Sequence, residues 1–310
     1  MTPKVSIIVP NYNHAPYLRQ RLDSIFNQTY QDFEVIILDD CSTDNSKEII
    51  EEYRNCPQVS HVIYNETNSG SPFKQWAKGF YLSKGEYIWI AESDDWAELN
   101  FLAEMVPILE QDPSLSLTFC NSFNERDGFQ STTQNSFDST VKISSSVALK
   151  RYMCWGCTVY NASSVLFRKK ILKEIPNNYQ NYCSSGDYLF WIYLVEKGNL
   201  HYYYKPLNHY RIHEYNKSIT EHISGKAFYE DLKIFHYKKG KGYLSFYKKH
   251  AIVLNNVKYI DKQMSICPQN KILQSAKKLW EKEVFSVSFS IFVVKLGELI
   301  WNFFIKRHEK

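Results

Sequence analysis

Three carboxylates within four residues, Glu92, Asp94 and Asp95, follow directly on the apolar run Tyr87–Ala91 and form the densest chemistry in the chain. That run, entered from Lys84-Gly85, has the composition of a strand covered on both faces. Crowded carboxylates repel one another and are costly to desolvate, so at the end of a buried strand they call for a compensating cation. Hard oxygen donors there suit Mg²⁺ or Mn²⁺, which reaches a protein through one or two carboxylates plus substrate phosphates. A plainer role is open to the same residues: Asp94 and Asp95 can cap a following helix, Asn100 to Gln111, or solvate a turn.

The elements that would position this acid are legible upstream. Val5 to Val9 is an apolar strand closed by Pro10-Asn11-Tyr12-Asn13, and Tyr17, Leu18, Leu22, Ile25 and Phe26 then recur at helical spacing. Phe33 to Leu38 is a second strand, ending in Asp39-Asp40-Cys41-Ser42-Thr43-Asp44, with a helical stripe at Ile49, Ile50 and Tyr53. Val59 to Tyr64 gives a third strand, Asn65 to Ser71 a loop, and Pro72 starts a helix from Phe73 to Leu82 before the fourth strand. Strands alternating with helices predict an α/β fold with a mostly parallel central sheet flanked by helices. Ligands on such sheets bind beyond the strands' carboxyl ends. Asn11 and Asn13, then Asp39 and Asp40, then Glu92, Asp94 and Asp95 would therefore converge on one polar crevice.

Further along, Leu115 to Cys120 and Val165 to Phe167 read as strands, and Asn121 to Ser146 as a polar loop region with room for a hairpin. Asp187 follows Gly186 and opens a strongly apolar helix, where a carboxylate is commonly an N-cap. Leu200 to Tyr204 and Leu207 to Ile212 suggest two short strands broken at Pro206, followed by a loop from His213 to Ser218.

At 310 residues, with 44% hydrophobic content, the chain can bury a substantial core. We expect one domain over 1–220 and a helical C-terminal region over 221–310. The net charge of +4 is too small and dispersed for nucleic-acid binding but fits an anionic substrate or membrane surface. Seven cysteines in an odd set, with no cleavable apolar segment, point to a reducing compartment. Cys154-Trp155-Gly156-Cys157 has redox or zinc spacing, yet no second pair follows it. From Gly225 the pattern is helical and basic, and Val284 to Ile305 is apolar but interrupted by Lys295, Glu298 and Asn302. A Lys at the bilayer centre costs roughly 3 kcal/mol, so an interfacial or internally packed helix fits better than a spanning one. Lys306, Arg307 and Lys310 beyond it favour an anionic cytoplasmic leaflet. The expected location is thus cytoplasmic, with peripheral contact at the inner face of the plasma membrane.

With these residues in place, positions 4 to 220 resemble family 2 inverting glycosyltransferases of the GT-A fold, of the bacterial cell-surface polysaccharide type. Val5-Ser6-Ile7-Ile8-Val9-Pro10-Asn11-Tyr12-Asn13 resembles the family's opening strand and loop, and Asp39-Asp40-Cys41-Ser42-Thr43-Asp44 its nucleotide-binding turn. Glu92-Ser93-Asp94-Asp95 stands at its metal motif. The resemblance implies transfer of a sugar from a nucleoside-diphosphate sugar, a UDP-sugar foremost, to a glycan or lipid-linked acceptor, with Mg²⁺ or Mn²⁺ as cofactor. Pro10, Asn11 and Tyr12 would line the base and ribose pocket, with Asp39 or Asp40 accepting from the base. Asn68, Gly70 and Lys74 would flank the nucleotide, beside Asn13, Glu92 and Ser93. Asp94 would be the chief metal ligand with Asp95 beside it, and Asp187 the general base. Arg211, His213 and Ser218 would close on the diphosphate. Glu92 replaces the family's first Asp, Cys41 a Gly, and Gly186 a Glu, leaving Asp187 as the carboxylate of its segment.

Two other classes compete. A sugar nucleotidylyltransferase would want a Gly-rich phosphate loop after the first strand, and Asn11-Tyr12-Asn13-His14-Ala15-Pro16 has no Gly. A non-catalytic nucleotide- or carbohydrate-binding protein could keep the fold, but the retained Asp94, Asp187, Arg211 and His213 speak against decay.

Overall fold

The structure, a computed structural model, describes residues 2–126, 128–133, 137–213, 217–284 and 286. Most of the C-terminal apolar segment expected from Val284 to Ile305, part of the loop after His213, and the side chain of Ser218 lie outside the described residues.

The parallel half of the sheet comes from the first four strands. Strands β1 (Val5–Asn11), β2 (Phe33–Asp39), β3 (Val59–Tyr64) and β4 (Tyr87–Ile90) lie side by side in the order β3-β2-β1-β4. All pairs there are parallel, with Asn11 opposite Asp39 and Ile8 opposite Ile90. Every residue of β1, β2 and β4 is buried, which is why these segments read as continuous apolar runs rather than alternating ones. Helices α1 (Ala15–Phe26), α2 (Ser46–Tyr53) and α3 (Pro72–Leu82) make the crossovers. Val5, Ile7 and Val9 share a core with Leu18, Leu22 and Ile25 of α1 and Ile50 of α2. Ile8 points to the other face, where it presses on α3 so closely that a Cβ on Gly79 would lie 2.4 Å from its side chain.

Beyond β4 the sheet turns mixed. A short strand β5 (Trp96–Ala97) and helix α4 (Phe101–Gln111) precede β6 (Leu115–Arg126), β7 (Phe129–Thr132) and β8 (Val141–Ile143). A short helix α5 (Ser145–Val147) leads to β9 (Val165–Arg168), helix α6 (Gly186–Glu196) and β10 (Asn199–Arg211). The order continues β4-β9-β6-β10-β5, with β9 antiparallel to both neighbours and β6 parallel to β10. Helix α6 is buried from Tyr188 to Val195, matching an apolar pattern with no polar face.

Two expectations are corrected. The segment from Asn121 begins as strand rather than loop: β6 runs to Arg126 and, with β7, makes the hairpin for which the sequence left room, held by edge pairing rather than by an apolar stripe. The two strands expected around Pro206 are one, β10, whose register against β6 shifts between Tyr203 and Pro206 and again before Asn208. Proline offers no N–H to a ladder, and the irregularity absorbs it without ending the strand.

The chain divides into compact units Met1–Asn216 and Lys217–Lys310. In the second, α7 (Lys217–Ser224), α8 (Ala227–Gly240) and α9 (Phe246–Ile266) are followed by helical residues 271–284. Phe228, Phe235, Val253, Ile260, Leu273 and Trp280 are buried in it, and the Trp280 indole donates to the Phe228 carbonyl at 3.0 Å. No helix among the described residues is long and apolar enough to cross a membrane.

Candidate active site

The carboxyl ends of β1, β2 and β4 open on one edge of the sheet, and three polar networks are built there. The first surrounds Asp39. Its Oδ2 accepts from the Asn11 amide at 2.7 Å and the Ser42 hydroxyl at 2.6 Å, and its Oδ1 from the Ser42 backbone at 2.9 Å. Asn13, at φ 56°, accepts from the Thr43 backbone at 2.7 Å and donates its own N–H to Ser42 at 2.9 Å, tying the two loops together. Cys41 has φ 65°, the left-handed conformation that glycine enters without strain. Pro10 and Asn11 are buried and Tyr12 is 45% exposed, leaving its ring available to a ligand. The Oδ1 of Asn11 is buried with no donor among the described residues.

The second network surrounds Asp40. Its carboxylate accepts from Asn65 at 2.6 Å, Gln75 at 2.8 Å, and Ser69 through both backbone and hydroxyl at 2.9 and 2.8 Å. Asn68 donates to the Asp40 carbonyl and accepts from Gly70, whose φ of 78° lets the loop turn back. Lys74 donates to the Ser69 carbonyl at 2.8 Å and so closes the same loop. Asp39 and Asp40, expected to accept from a base, thus have both carboxylates engaged by protein donors; they fix the walls of the crevice.

The third network is the acidic turn. Asp94 Oδ2 lies 3.1 Å from His213 Nε2, and the Nδ1 of His14 lies 2.8 Å from the Ser93 hydroxyl. Ligand atoms of His14, Asp94 and His213 all fall within 4.8 Å of one another, so the segments that follow β1, β4 and β10 each contribute one potential metal donor. Asp95 faces elsewhere. It is fully buried, accepting from Asn161 at 2.8 Å, the Ser163 hydroxyl at 2.7 Å and the Arg211 backbone at 3.1 Å. The turn after β4, closed by the Asp95 N–H on the Glu92 carbonyl, thus sets the Asp94 carboxylate beside His14 and His213 and the Asp95 carboxylate against Asn161 and Ser163. Arg211 donates to the Asp94 carbonyl and to Gln20, and its guanidinium lies 4.5 Å from the Tyr17 ring, which also stacks on His213 at 5.3 Å.

Electrostatics follow from this enclosure. Burial works to raise Asp94, but the hydrogen bond from His213 and the charge of His14 hold it below the ordinary carboxylate range. Burial, reinforced by Asp94, raises Asp95 to about 6 and Glu92 to about 8, the latter against a 2.8 Å hydrogen bond from the Trp76 indole. Burial also draws His14 below the ordinary imidazole range, with Asp94 opposing. A carboxylate beside two imidazoles is a donor set that fits a divalent cation, and two nitrogen donors favour Mn²⁺ over Mg²⁺.

Asp187 sits in the first turn of α6, part-buried, its Oδ1 accepting from the Tyr188 backbone at 2.7 Å. One turn on, Trp191 packs 5.9 Å from Trp76, whose indole holds Glu92. Helix α6, which carries Asp187, is therefore tied to the acidic turn through two tryptophans. Gly186 is required there: a Cβ would lie 2.5 Å from the Phe73 ring and 2.8 Å from the Tyr179 carbonyl.

Sequence reasoning missed His14, Tyr17, Gln20, Arg21, Asn161 and Ser163. Arg21 carried a signal, as a charged residue on the stripe otherwise formed by Leu18, Leu22 and Ile25. Asn161 and Ser163 carried none, being far in sequence from the acid they hold.

Comparison with known proteins places this geometry. Residues 6–176 match the family model described as glycosyl transferase family 2. EpsH of Bacillus subtilis is 28% identical over 301 residues, spanning 91% of this chain and 81% of EpsH. The poly(ribitol-phosphate) beta-N-acetylglucosaminyltransferase TarS of Staphylococcus aureus is 36% identical over 110 residues, 35% of this chain and 19% of TarS. The crystal structure of S. aureus TarS 1–349 with UDP-GlcNAc superposes with a TM-score of 0.66 at 21% identity, over 92% of this chain and 79% of that one. The mannosyltransferase PcManGT from Pyrobaculum calidifontis, in complex with GDP-Man and Mn²⁺, gives 0.53 at 14% identity, over 93% and 87%. At these identities the two structures speak to the fold, which is GT-A.

Proposed function

The chain belongs to glycosyl transferase family 2 and is a glycosyltransferase, and from that premise we propose that it is a metal-dependent, inverting enzyme using a UDP-sugar to glycosylate a hydroxyl of a cell-surface polysaccharide or its lipid-linked precursor. The observation that carries the reading is the convergence of His14, Asp94 and His213 within 4.8 Å at the carboxyl edge of the sheet. TarS, by its name, forms a β-linked product and has been crystallised with UDP-GlcNAc, an α-linked donor, which supports inversion here. PcManGT holding Mn²⁺ with its sugar nucleotide supports a cation.

In this reading Pro10, Asn11 and Tyr12 receive the base and ribose, with the unmatched Asn11 Oδ1 as the acceptor for a base N–H and Tyr12 as a stacking face. Asn13, Asn68, Gly70 and Lys74 shape the loops around the nucleotide, while Asp39 and Asp40 hold those loops in register. Glu92 and Ser93 set the backbone of the acidic turn. His14, Asp94 and His213 hold the cation, and Asp95 anchors the turn to Asn161, Ser163 and Arg211. When bound, the cation neutralises charge developing on the departing nucleoside diphosphate. Arg211, braced by Gln20 and Tyr17, adds positive charge at the same strand end. Asp187 removes the proton of the acceptor hydroxyl as the new bond forms. The basic second unit contacts anionic lipid, holding the enzyme near a membrane-borne acceptor.

The test is Asp187→Asn. Sugar transfer should fall by about 10²–10⁴-fold while UDP-sugar affinity, read by thermal shift, stays within a few-fold of wild type. Unchanged turnover would remove Asp187 from the reaction.

A further inference from the structure

Beneath the acidic turn lies a cation that the scheme above does not use. Arg21, on α1, is fully buried, and its Nε–H donates to the Glu92 carbonyl at 2.8 Å. Its guanidinium rests 5.5 Å from the ring of Trp89, the penultimate residue of β4. Its two terminal nitrogens have no acceptor among the described residues. A buried guanidinium left with four N–H groups unmatched is costly, and apolar replacement would ordinarily be preferred. Burial draws its pKa down to about 10, with Asp95, Asp94 and Glu92 opposing that fall and Arg211 adding to it.

We propose that Arg21 is a positioning residue, a resident counter-cation that keeps the Glu92–Asp95 turn assembled before a divalent ion arrives. It does so at two levels. The Nε–H bond fixes the Glu92 carbonyl and with it the path by which the chain leaves β4, while the delocalised charge offsets the repulsion between the enclosed carboxylates of Asp94 and Asp95. Because it makes no direct hydrogen bond to Asp94, it leaves those oxygens open to an incoming ligand. The inference rests on the proposed cation site for its second arm only.

The first arm is a double-mutant cycle in metal-free protein, with Arg21→Met, Asp95→Asn and both together. Arg21→Met leaves buried carboxylates uncompensated and should lower the melting temperature by roughly 5–10 °C. The paired variant should lose clearly less than the sum of the single losses, the signature of a charge–charge interaction rather than of lost packing. Arg21→Lys, which keeps the charge, should retain most of the wild-type stability. Strictly additive losses, or Arg21→Lys as unstable as Arg21→Met, would overturn the proposal. If Arg21→Met alone fails to fold, the paired variant is expected to fold, and its failure overturns the proposal too. The second arm adds MnCl₂: its stabilising shift should be larger for Arg21→Met than for wild type, since the ion takes over the missing compensation, and a smaller or equal shift counts against the idea. Absence of any shift in either protein would instead refute the cation site and leave Arg21 to be judged by the cycle.

Discussion

At the scale of single residues, the strain at Cys41 and the placement of Glu34 give two measurable consequences. Cys41 holds φ 65° between Asp40 and Ser42, where a side chain costs about 1–2 kcal/mol relative to the right-handed regions. Cys41→Gly should therefore stabilise the protein by a net of about 0.5–1 kcal/mol after glycine's extra unfolded-state entropy, seen as a higher urea midpoint at constant slope. Glu34 is buried on β2, accepting from the Ser6 hydroxyl and the Lys84 backbone, both at 2.6 Å. Burial pushes its carboxyl up, but these donors outweigh burial and hold it below the ordinary value. A depressed folded-state pKa gives stability that is present above the unfolded value, near 4.5, and lost as pH falls through the folded one. Glu34→Gln should flatten the acid limb of the stability profile below about pH 4.5 and cost about 1 kcal/mol at neutral pH; an unchanged acid limb would exclude Glu34 as a source of it. The candidate site residues were readable only where type and strand position coincided. Asp94 could be singled out because it ends a buried strand, but His14 looked like loop filler until β1 and β4 were paired.

At the scale of elements, periodicity was informative where burial was complete and weak where it was not. The parallel half, β1 to β4, was legible because every residue is buried and each run is continuous. The far half was misread where polar residues are held by pairing: Asn121 to Arg126 is strand because β7 and β10 flank it, which composition does not report. Pro206 looked like a break, yet β10 passes through with a register shift and delivers Arg211 and His213 to the site. Helix α6 carries Asp187, the proposed base, and its entry is tightly constrained. Gly186→Ala places a methyl 2.5 Å from the Phe73 ring and 2.8 Å from the Tyr179 carbonyl. Because one of those contacts is backbone, relief must come from moving the turn itself. The expected cost is about 1–3 kcal/mol together with a fall in kcat larger than any rise in KM, since Asp187 moves while the nucleotide pocket does not. Equal stability and kcat would show that this turn has more freedom than its packing indicates.

At the scale of the whole molecule, charge is unevenly divided. Residues 217–310 hold 18 of the 37 Lys and Arg but 8 of the 33 Asp and Glu, a net +10 that leaves −6 for residues 1–216. The modest total of +4 concealed this asymmetry, and with it a basic unit suited to anionic lipid. The full chain should sediment with phosphatidylglycerol vesicles at low ionic strength and be released near 0.5 M salt, while uncharged vesicles leave it in solution. Sedimentation independent of both salt and lipid charge would rule out electrostatic attachment. The first unit is acidic, and the cation site proposed in it is the point where the segments after β1, β4 and β10 bring His14, Asp94 and His213 together. Calorimetric titration of UDP into wild type and Asp94→Ala, with and without Mn²⁺, tests that point most directly. Wild type should bind UDP at least about tenfold more tightly with Mn²⁺, a gain of about 1.4 kcal/mol, and Asp94→Ala should show no such gain. Wild-type affinity that is the same with and without the ion would contradict the account.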